Sequence, residues 1–264
     1  MKWWSPTIQD YYIRYNNWNF YKGDTEETVD FEELADMFGP ISYDKDSNTL
    51  TLGDGEDPCC IKSTGHYGFL VESDLNIKVQ GEGNEIYTDS SDTTYQEFSG
   101  IKINEGVTLN IEGSDFANDT LLITGKQNYV ESYTTRAHKN LYGADVEGTL
   151  NIDGAYVESY ADGYYCYAGD PAEQKHAGVL IRSNGHVNIG STTPARLKSS
   201  AQSNQYDSST RDYITNYGLY SEGASPVLNT GSQIECYTAP SSYSSIQGYA
   251  YYAPESIKKS DGTE

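Results

Sequence analysis

The chain has 264 residues and a formal net charge of −22 at pH 7, because 39 Asp and Glu outnumber 17 Lys and Arg. Such a charge repels nucleic-acid backbones and anionic membrane surfaces, so neither is expected as a partner. Only 36% of the residues are hydrophobic while Gly and Tyr number 25 each, which is typical of short strands around a thin core and argues against a helical bundle. No apolar run approaches the roughly 18 residues needed to cross a bilayer, so membrane insertion is not predicted.

Residues 1–45 are predicted to form an N-terminal cap and the first strands. Residues 11–15 alternate in the manner of a strand, and residues 30–38 carry apolar side chains at helical spacing. Asp30 is the expected N-cap of this short helix, and Gly39-Pro40 is its stop signal. The start of the chain has no apolar stretch long enough for a signal peptide. The protein is therefore expected either to stay inside the cell or to begin after a removed leader.

Residues 46–256 are predicted to form the coils of a right-handed parallel β-helix, an all-β solenoid, and residues 257–264 a disordered tail or linker. Five segments share a Gly, a short strand, a polar corner and a second strand that carries Asn between apolar residues. Their glycines are Gly68, Gly100, Gly143, Gly178 and Gly218. The intervals of 32, 43, 35 and 40 residues indicate loops of different length inserted into a constant coil. Because one coil cannot bury its apolar side alone, neighbouring coils must stack.

The apolar–Asn–apolar strands fix the side-chain directions, since alternate residues of a strand point to opposite faces. Leu75, Leu109 and Leu150 are therefore expected in one shared interior, with the intervening asparagines outside. In a common register the asparagines form a column with a rung spacing of about 4.8 Å, along which stacked amides can hydrogen-bond. The predicted members are Asn76, Asn110, Asn151, Asn188 and, in the degraded fifth copy, Asn229.

The four cysteines form no Cys-x-x-Cys pair, so a thiolate zinc site is not expected. Cys59 and Cys60 are adjacent on a predicted strand and should point to opposite faces. Cys166 and Cys236 lie in similar Tyr-rich surroundings, where they are either buried packing residues of neighbouring coils or a disulfide pair.

Residues 42–52 read Ser-Tyr-Asp, then three variable residues, then Asn-Thr-Leu-Thr-Leu, and they lead into the Gly-led coils. This succession resembles bacterial surface proteins of the carbohydrate-binding β-helix type, in which SYD-x-x-x-NTLTL precedes repeated GI-x-x-x-x-x-LTI-x-G coils. The resemblance covers residues 10–235. It implies a secreted or cell-wall-attached protein, with some members binding plant cell-wall or acidic polysaccharides, sometimes with calcium. No separate ligand motif carries a calcium site over to this chain, which is also richer in Tyr and has Asn where Thr is common.

Two clusters of tyrosines are the candidate carbohydrate-binding residues, because flat rings stack on sugars while neighbouring polar groups bond their hydroxyls. Strand alternation allows only half of each cluster to be exposed. The alternative is that these rings fill the core or cover the end coil. The clusters are Tyr164, Tyr165 and Tyr167, and Tyr249, Tyr251 and Tyr252.

Calcium is the candidate cofactor, since hard cations prefer carboxylate and carbonyl oxygens and the chain is rich in acidic loops. The alternative is that the acidity simply keeps an extended surface soluble. The candidate ligands are Asp54, Glu56, Asp57, Asp89, Asp92, Asp162 and Asp170.

Catalysis would require further groups. A polysaccharide lyase needs an Arg or Lys to take a proton beside calcium-holding carboxylates, and a hydrolase needs paired carboxylates such as Asp89 and Asp92. Such residues are equally typical of solvated surfaces and turns, and the sequence has no phosphate loop, nucleophile elbow or His-Glu metal motif. The candidate lyase residues are Arg136 with His138, and Arg182 with His186.

Two functional hypotheses follow from these patterns. The chain is predicted to be a non-catalytic, monomeric module, secreted or on the cell surface, that binds a polysaccharide. The alternative is a structural or adhesive stalk that contacts a host or partner protein. A polysaccharide lyase is the only catalytic hypothesis retained.

Overall fold

A computed structural model of the chain describes residues 12–90, 97–127, 140–163, 174–203, 214–238, 246–254 and 256–259. Among these residues there is one helix, α1 (Phe31–Phe38), and no helix has the length and apolar character required to cross a membrane. In chain order the strands are β1 (Ile13–Asn16), β2 (Asn19–Lys22), β3 (Ile41–Asp44), β4 (Thr49–Leu52), β5 (Cys60–Ser63), β6 (Tyr67–Val71), β7 (Leu75–Val79), β8 (Asn84–Ser90), β9 (Glu97–Ile103), β10 (Thr108–Glu112), β11 (Thr120–Gln127), β12 (Asn140–Val146), β13 (Thr149–Asp153), β14 (Tyr156–Gly163), β15 (Gln174–Ile181), β16 (His186–Ile189), β17 (Arg196–Ser203), β18 (Ile214–Ser221), β19 (Val227–Leu228), β20 (Gln233–Thr238), β21 (Ile246–Tyr252) and β22 (Lys258–Lys259).

The strands form three sheets in which successive coils lie side by side. Sheet 1 has the order β2-β1-β6-β9-β12-β15-β18-β21, sheet 2 the order β3-β4-β7-β10-β13-β16-β19-β22, and sheet 3 the order β5-β8-β11-β14-β17-β20. Each coil adds one strand to each sheet in turn, as β6, β7 and β8 do, and the strands of successive coils pair in parallel. The prediction of an all-β chain of stacked parallel strands is confirmed.

The inward residues of the coils form one apolar core along the stack. Leu109 lies in parallel register between Leu75 of the preceding coil and Leu150 of the following one, and all three are buried. Stacking therefore buries the leucines that a single coil would leave exposed, at roughly 1.5–3 kcal/mol for each fully buried side chain. The shared interior predicted from the repeat is confirmed.

The predicted asparagine column runs along the outer face of sheet 2. Each side-chain amide donates from Nδ2 to Oδ1 of the preceding coil, at 2.7 Å for Asn110 to Asn76, 2.7 Å for Asn151 to Asn110 and 2.8 Å for Asn188 to Asn151. The column ends there, because the residue in register with Asn188 in the next coil is Val227. The prediction that Asn229 extends the column is wrong, since its amide donates instead to a backbone carbonyl, that of Ile189, at 3.2 Å.

The repeated glycines lie where the backbone of sheet 1 rests against sheet 3. A Cβ atom on Gly143 would lie 2.5 Å from the carbonyl oxygen of Gly178 in the next coil and 2.5 Å from the amide nitrogen of Tyr160 in sheet 3. The same atom on Gly68 or Gly100 would lie 2.5 or 2.8 Å from the carbonyl oxygen of the following glycine. The repeat requires glycine here because any side chain would push the coils and the two sheets apart.

Short antiparallel strands and the helix cover the N-terminal end of the stack. β2 pairs antiparallel with β1, and β3 pairs antiparallel with β4. In α1, the Asp30 side chain accepts the Glu32 N–H at 2.9 Å, and Gly39 ends the helix with φ of 90°. Leu34 and Phe38 of this helix are buried in the core. The predicted helix and both of its end signals are confirmed.

The adjacent cysteines do point to opposite faces. Cys59 is buried in the core, whereas Cys60 is half-buried and its Sγ lies 3.7 Å from the carbonyl oxygen of Gly83. Cys59, Cys60 and Cys236 are free thiols, and burial raises the pKa of Cys59 and of Cys236 to about 12. Cys166 lies outside the described residues.

Candidate functional site

The outer face of sheet 3 brings aromatic, cationic and acidic side chains together. In β8 and β14, buried residues alternate with half-buried ones, so every second side chain points outward. Because neighbouring strands are parallel and in register, the outward residues line up in columns along the stack. We call this surface, the outward residues of β5, β8, β11, β14, β17 and β20, the tyrosine face.

The central column of the tyrosine face carries a tyrosine on every second coil. Tyr87, Tyr160 and Tyr237 alternate in register with Thr124 and Ser200. Thr124 and Ser200 are only 4% and 2% exposed, so these short side chains lie low between the larger rings, whereas Tyr237 is 39% exposed. With neighbouring strands about 4.8 Å apart, successive tyrosines are about 10 Å apart along the stack.

Each lysine and arginine of the face has an acidic partner on the same face. Lys126 lies between Asp89 and Asp162 of the two neighbouring coils, with Nζ–Oδ2 distances of 3.9 and 4.0 Å. Partly exposed pairs of this kind contribute about 0–1 kcal/mol each to stability, so their main effect is to hold the side chains in place. The other pairs are Lys62–Glu85 at 3.5 Å, Lys198–Glu158 at 2.6 Å and Arg196–Glu235 at 2.5 Å.

The lysines of the face also lie over its rings. The Nζ atoms of Lys62 and Lys126 are 5.8 and 5.9 Å from the centre of the Tyr87 ring, and that of Lys198 is 5.3 Å from the centre of the Tyr237 ring. Such contacts are worth roughly 0.5–1 kcal/mol at an exposed site. These contacts favour the observed positions of the Tyr87 and Tyr237 rings.

The phenols of Tyr87 and Tyr160 stay protonated at physiological pH. Burial, followed by the carboxylate of Asp89, raises the pKa of Tyr87 well above its ordinary value. Burial and the carboxylate of Asp162 do the same for the pKa of Tyr160. These two rings are thus neutral, and a phenol hydroxyl can both donate and accept hydrogen bonds.

A groove of about 450 Å³ crosses β8, β11 and β14 on the tyrosine face. Tyr156 and Tyr160 line it from β14, and Leu122 contributes apolar surface in register between Glu85 and Glu158. Apolar and aromatic surface is thus combined with hydrogen-bond acceptors, as is usual in small-molecule sites. The remaining lining residues are Gly83, Asn84, Thr120 and Leu121.

The predicted tyrosine cluster near the C-terminal end lies on sheet 1 and is divided between its two faces. Tyr251 points inward and packs against the core. Tyr249 and Tyr252 are 45% and 49% exposed on the outer face. They stack on Tyr217 and Tyr220 of the preceding coil, with ring centres 5.6 and 5.0 Å apart. One face of each exposed ring is therefore already covered by protein.

The described candidate calcium ligands lie in two separate places. Asp54, Glu56 and Asp57 share an exposed turn, in which hydrogen bonds from the N–H of Asp57 at 2.8 Å and of Glu56 at 2.9 Å lower the pKa of Asp54. Asp89 and Asp162 are on the tyrosine face with a lysine between them. Within the described ranges, no three His, Cys, Asp or Glu side chains form a group that could hold a metal ion. Calcium binding stays a prediction.

Arg182, a candidate lyase residue, belongs to an ion-pair network on the outer face of sheet 1. Its guanidinium donates to both oxygens of Asp145 at 2.9 and 3.0 Å and to Glu97 at 2.9 Å, and Lys102 binds the same Asp145 at 2.8 Å. Burial opposes the charge on Arg182, but the bonds from Asp145 outweigh it and raise its pKa. An arginine held in this way is a poor proton acceptor. His186 is exposed on β16.

Several other predicted residues fall outside the part of the chain that the structure describes. They are Tyr164, Tyr165 and Tyr167 of the first tyrosine cluster, Asp92 and Asp170 of the candidate metal ligands, and Arg136 with His138. The predictions made for them stay untested.

Sequence analysis missed Tyr87, Tyr160 and Tyr237. All three lie in the third strand of a coil, and the aligned repeat covered only the first two strands. The signal that could have found them is the alternation of residues 84–90 and 156–163, in which a Tyr stands at an outward position.

No protein-family model, no curated protein and no solved structure matches the chain. The resemblance to bacterial carbohydrate-binding β-helix proteins therefore stays a prediction, and function has to be inferred from the tyrosine face itself.

Proposed function

We propose that the chain is a non-catalytic carbohydrate-binding module whose sugar ligand lies on the tyrosine face. The observation that carries this proposal is the column of Tyr87, Tyr160 and Tyr237, with short residues between the rings and a groove beside them. Rings of this kind cover the apolar faces of sugars, while phenol hydroxyls and carboxylates bond the sugar hydroxyls.

The ion pairs of the face favour binding over catalysis. Glu85 and Glu158, the two carboxylates that line the groove, are each paired with a lysine. A carboxylate bound to an ammonium group is poorly placed to activate water or to protonate a leaving group. Both carboxylates remain able to accept hydrogen bonds from sugar hydroxyls, because an ionised carboxylate has several acceptor positions.

The finer fold is part of the same proposal: we infer that the stacked coils form a right-handed parallel β-helix. Its support is the cyclic order of the three sheets together with the general rule that crossovers between parallel strands of one sheet are right-handed in about 98% of cases. An experimental structure tests this directly, and left-handed coils would contradict it. A secreted or surface-attached location and calcium-assisted binding are proposed with it, on the strength of the resemblance.

The alternative of a structural or adhesive stalk is favoured by a different observation. The asparagines of the column hydrogen-bond to one another, so the outer face of sheet 2 stabilises the stack of coils. A stalk would need stiff coils of this kind and no ligand face. The two functions are separated by whether the tyrosine face binds glycans.

The decisive experiment is binding to immobilised polysaccharides by affinity electrophoresis, with and without a chelator, for the wild-type chain and two matched variants. Tyr160→Ala removes a ring from the tyrosine face, and Tyr252→Ala removes an exposed ring from sheet 1. We expect Tyr160→Ala to weaken binding about tenfold, equivalent to about 1.4 kcal/mol, and Tyr252→Ala to leave it unchanged.

The controls decide between the alternatives. The thermal unfolding midpoints of both variants must equal that of the wild-type chain, because only then can a loss of binding be distinguished from a loss of the fold. Binding lost only in Tyr252→Ala would move the site to sheet 1, and silence of the wild-type chain on all glycans would favour the stalk. Loss of binding on chelation, restored by calcium, would support the predicted cofactor.

A further inference from the structure

The spacing of the tyrosine column restricts the shape of a ligand. Tyr87, Tyr160 and Tyr237 stand on alternate coils, about 10 Å apart, and the column runs at right angles to the strands. A ligand that meets more than one of these rings must therefore extend along the stacking direction. It must also present an equivalent apolar face at each interval, which a branched or tightly coiled glycan does not do.

An extended β-1,4-linked chain of hexoses meets both conditions. Its sugars alternate in orientation along the chain, so equivalent faces recur at every second sugar, over a length close to two interstrand distances, or about 10 Å. The short side chains of Thr124 and Ser200 leave room for the intervening sugars, which are turned the other way. The period of two coils in the protein thus matches a period of two sugars in the ligand.

The charge of the tyrosine face restricts the ligand further. Its four cations are paired with five carboxylates on the same face, so the face is nearly neutral although the chain carries −22. No cation among these outward residues is left over for the carboxylates of a uronic acid. A polyanion would also be repelled by the acidic remainder of the molecule, whereas a neutral chain would not.

We infer that the ligand is a neutral, linear β-1,4-linked polysaccharide bound along the stacking direction, with one ring contacting every second sugar. This inference rests on the proposed carbohydrate function. Two rings are then engaged by three successive sugars and all three rings by five. Affinity should rise in steps as each further ring is reached, since each stacked ring adds its own contact area.

The test is titration calorimetry of the full chain with neutral β-1,4-linked glucose oligosaccharides of two to six sugars. We expect affinity to rise several-fold from two sugars to three and again from four to five, with little change from three to four. Tyr237→Ala, at the end of the column, should abolish the later step and keep the earlier one. Tyr252→Ala is the matched control, because its exposed ring lies on sheet 1, outside both the column and the groove.

Two comparisons identify which part of the inference fails. β-1,3-linked oligosaccharides of the same lengths, whose chains curve, should show no second step, and β-1,4-linked glucuronic acid oligomers should bind more weakly than the neutral series. Binding without steps, a strong effect of Tyr252→Ala with none of Tyr237→Ala, or preference for the uronic acids would overturn the inference and leave carbohydrate binding intact. Absence of binding to every oligosaccharide and polysaccharide would overturn the proposed function itself.

Discussion

The outer faces of sheets 2 and 3 use the same stacking in opposite ways. On sheet 2, the same residue recurs on four successive coils, and the amides of the last three each donate to the asparagine before, at 2.7 to 2.8 Å. On sheet 3, the large residue recurs on every second coil, and its neighbours in the column are Thr124 and Ser200. Two of the rings contact lysines instead. Tyr87 contacts Lys62 of its own column and Lys126 of the neighbouring column. Tyr237 contacts Lys198, which is also in a neighbouring column.

This difference underlies our proposal that sheet 2 serves the scaffold and that the tyrosine face binds a ligand. A column of identical amides closes its own hydrogen bonds and needs nothing further. A column of rings separated by short residues does not stack ring on ring, and we propose that the ring surface left between them contacts an external molecule. In the proposed function, the residues that repeat on every coil build the scaffold and those that repeat on every second coil bind the ligand.

The largest expected effect comes from disturbing the spacing that both faces share. Gly143→Ala would place a Cβ 2.5 Å from the amide nitrogen of Tyr160 and from the carbonyl oxygen of Gly178. We expect the free energy of unfolding to fall by about 1–3 kcal/mol, as for other overpacked sites, and glycan binding to weaken because β14 is displaced. Urea unfolding and affinity electrophoresis measure the two effects.

Gly106→Ala is the matched control for this variant. Its added Cβ would meet nothing within 4 Å, although its φ of 74° makes the substitution strained. It should therefore cost stability through backbone strain alone and leave glycan binding unchanged. Equal loss of binding in both variants would show that stability, and not the position of β14, controls the tyrosine face.

A smaller effect is expected from breaking the asparagine column. Asn110→Ala removes the bonds to Asn76 and from Asn151, and each such bond contributes about 0.5–1.5 kcal/mol net. We expect unfolding at lower urea concentration with no change in glycan affinity. Asn229→Ala, outside the column, should cost less. Weaker glycan binding by Asn110→Ala would mean that sheet 2 also takes part in recognition, and the contrast between the faces would be lost.

The smallest effect concerns the turn that joins the two faces. Between β10 and β11, Asp119 accepts hydrogen bonds from the N–H of Gly81, from Ser114 and from the N–H of Asp115. Burial would raise its pKa, but these bonds outweigh burial and lower it. A lowered folded-state pKa gives stability that is present above the unfolded pKa of about 3.9 and is lost as pH falls through the folded value.

Asp119→Asn should therefore reduce stability at pH 7 and flatten the loss of stability below about pH 4. The midpoints of urea unfolding at neutral and acidic pH measure how stability depends on pH. Asp115→Asn, on the exposed side of the same turn, is the control. If Asp119→Asn lost stability at acidic pH as steeply as the wild-type chain, protonation of this carboxylate would not contribute to acid unfolding.

Much of the scaffold could be predicted because its causes are local or repeat identically. The leucines of residues 75, 109 and 150 alternate with asparagine within each strand, and the glycines mark the positions where a Cβ has no room. The short helix was also predictable, since Asp30 and Gly39 carry its end signals. The column failed at Asn229 because the last coils pair in a different register, which no local pattern reveals.

The candidate site could not be predicted from the repeat and the local end signals. Tyr87, Tyr160 and Tyr237 become neighbours only through the third strand of each coil, which follows a connection of between two and seven residues from sheet 2. The prediction instead followed dense tyrosine clusters, and one of the predicted residues, Tyr251, packs against the core.

By itself, the sequence determined that this chain stacks, since the period-two alternation and the glycines permit apolar burial only when coil covers coil. The tertiary structure decided which outward side chains share a column, because that depends on the pairing register between strands far apart in the chain. Alternation within a strand follows from the polarity of adjacent residues, whereas register follows from core packing and connection length across the whole coil.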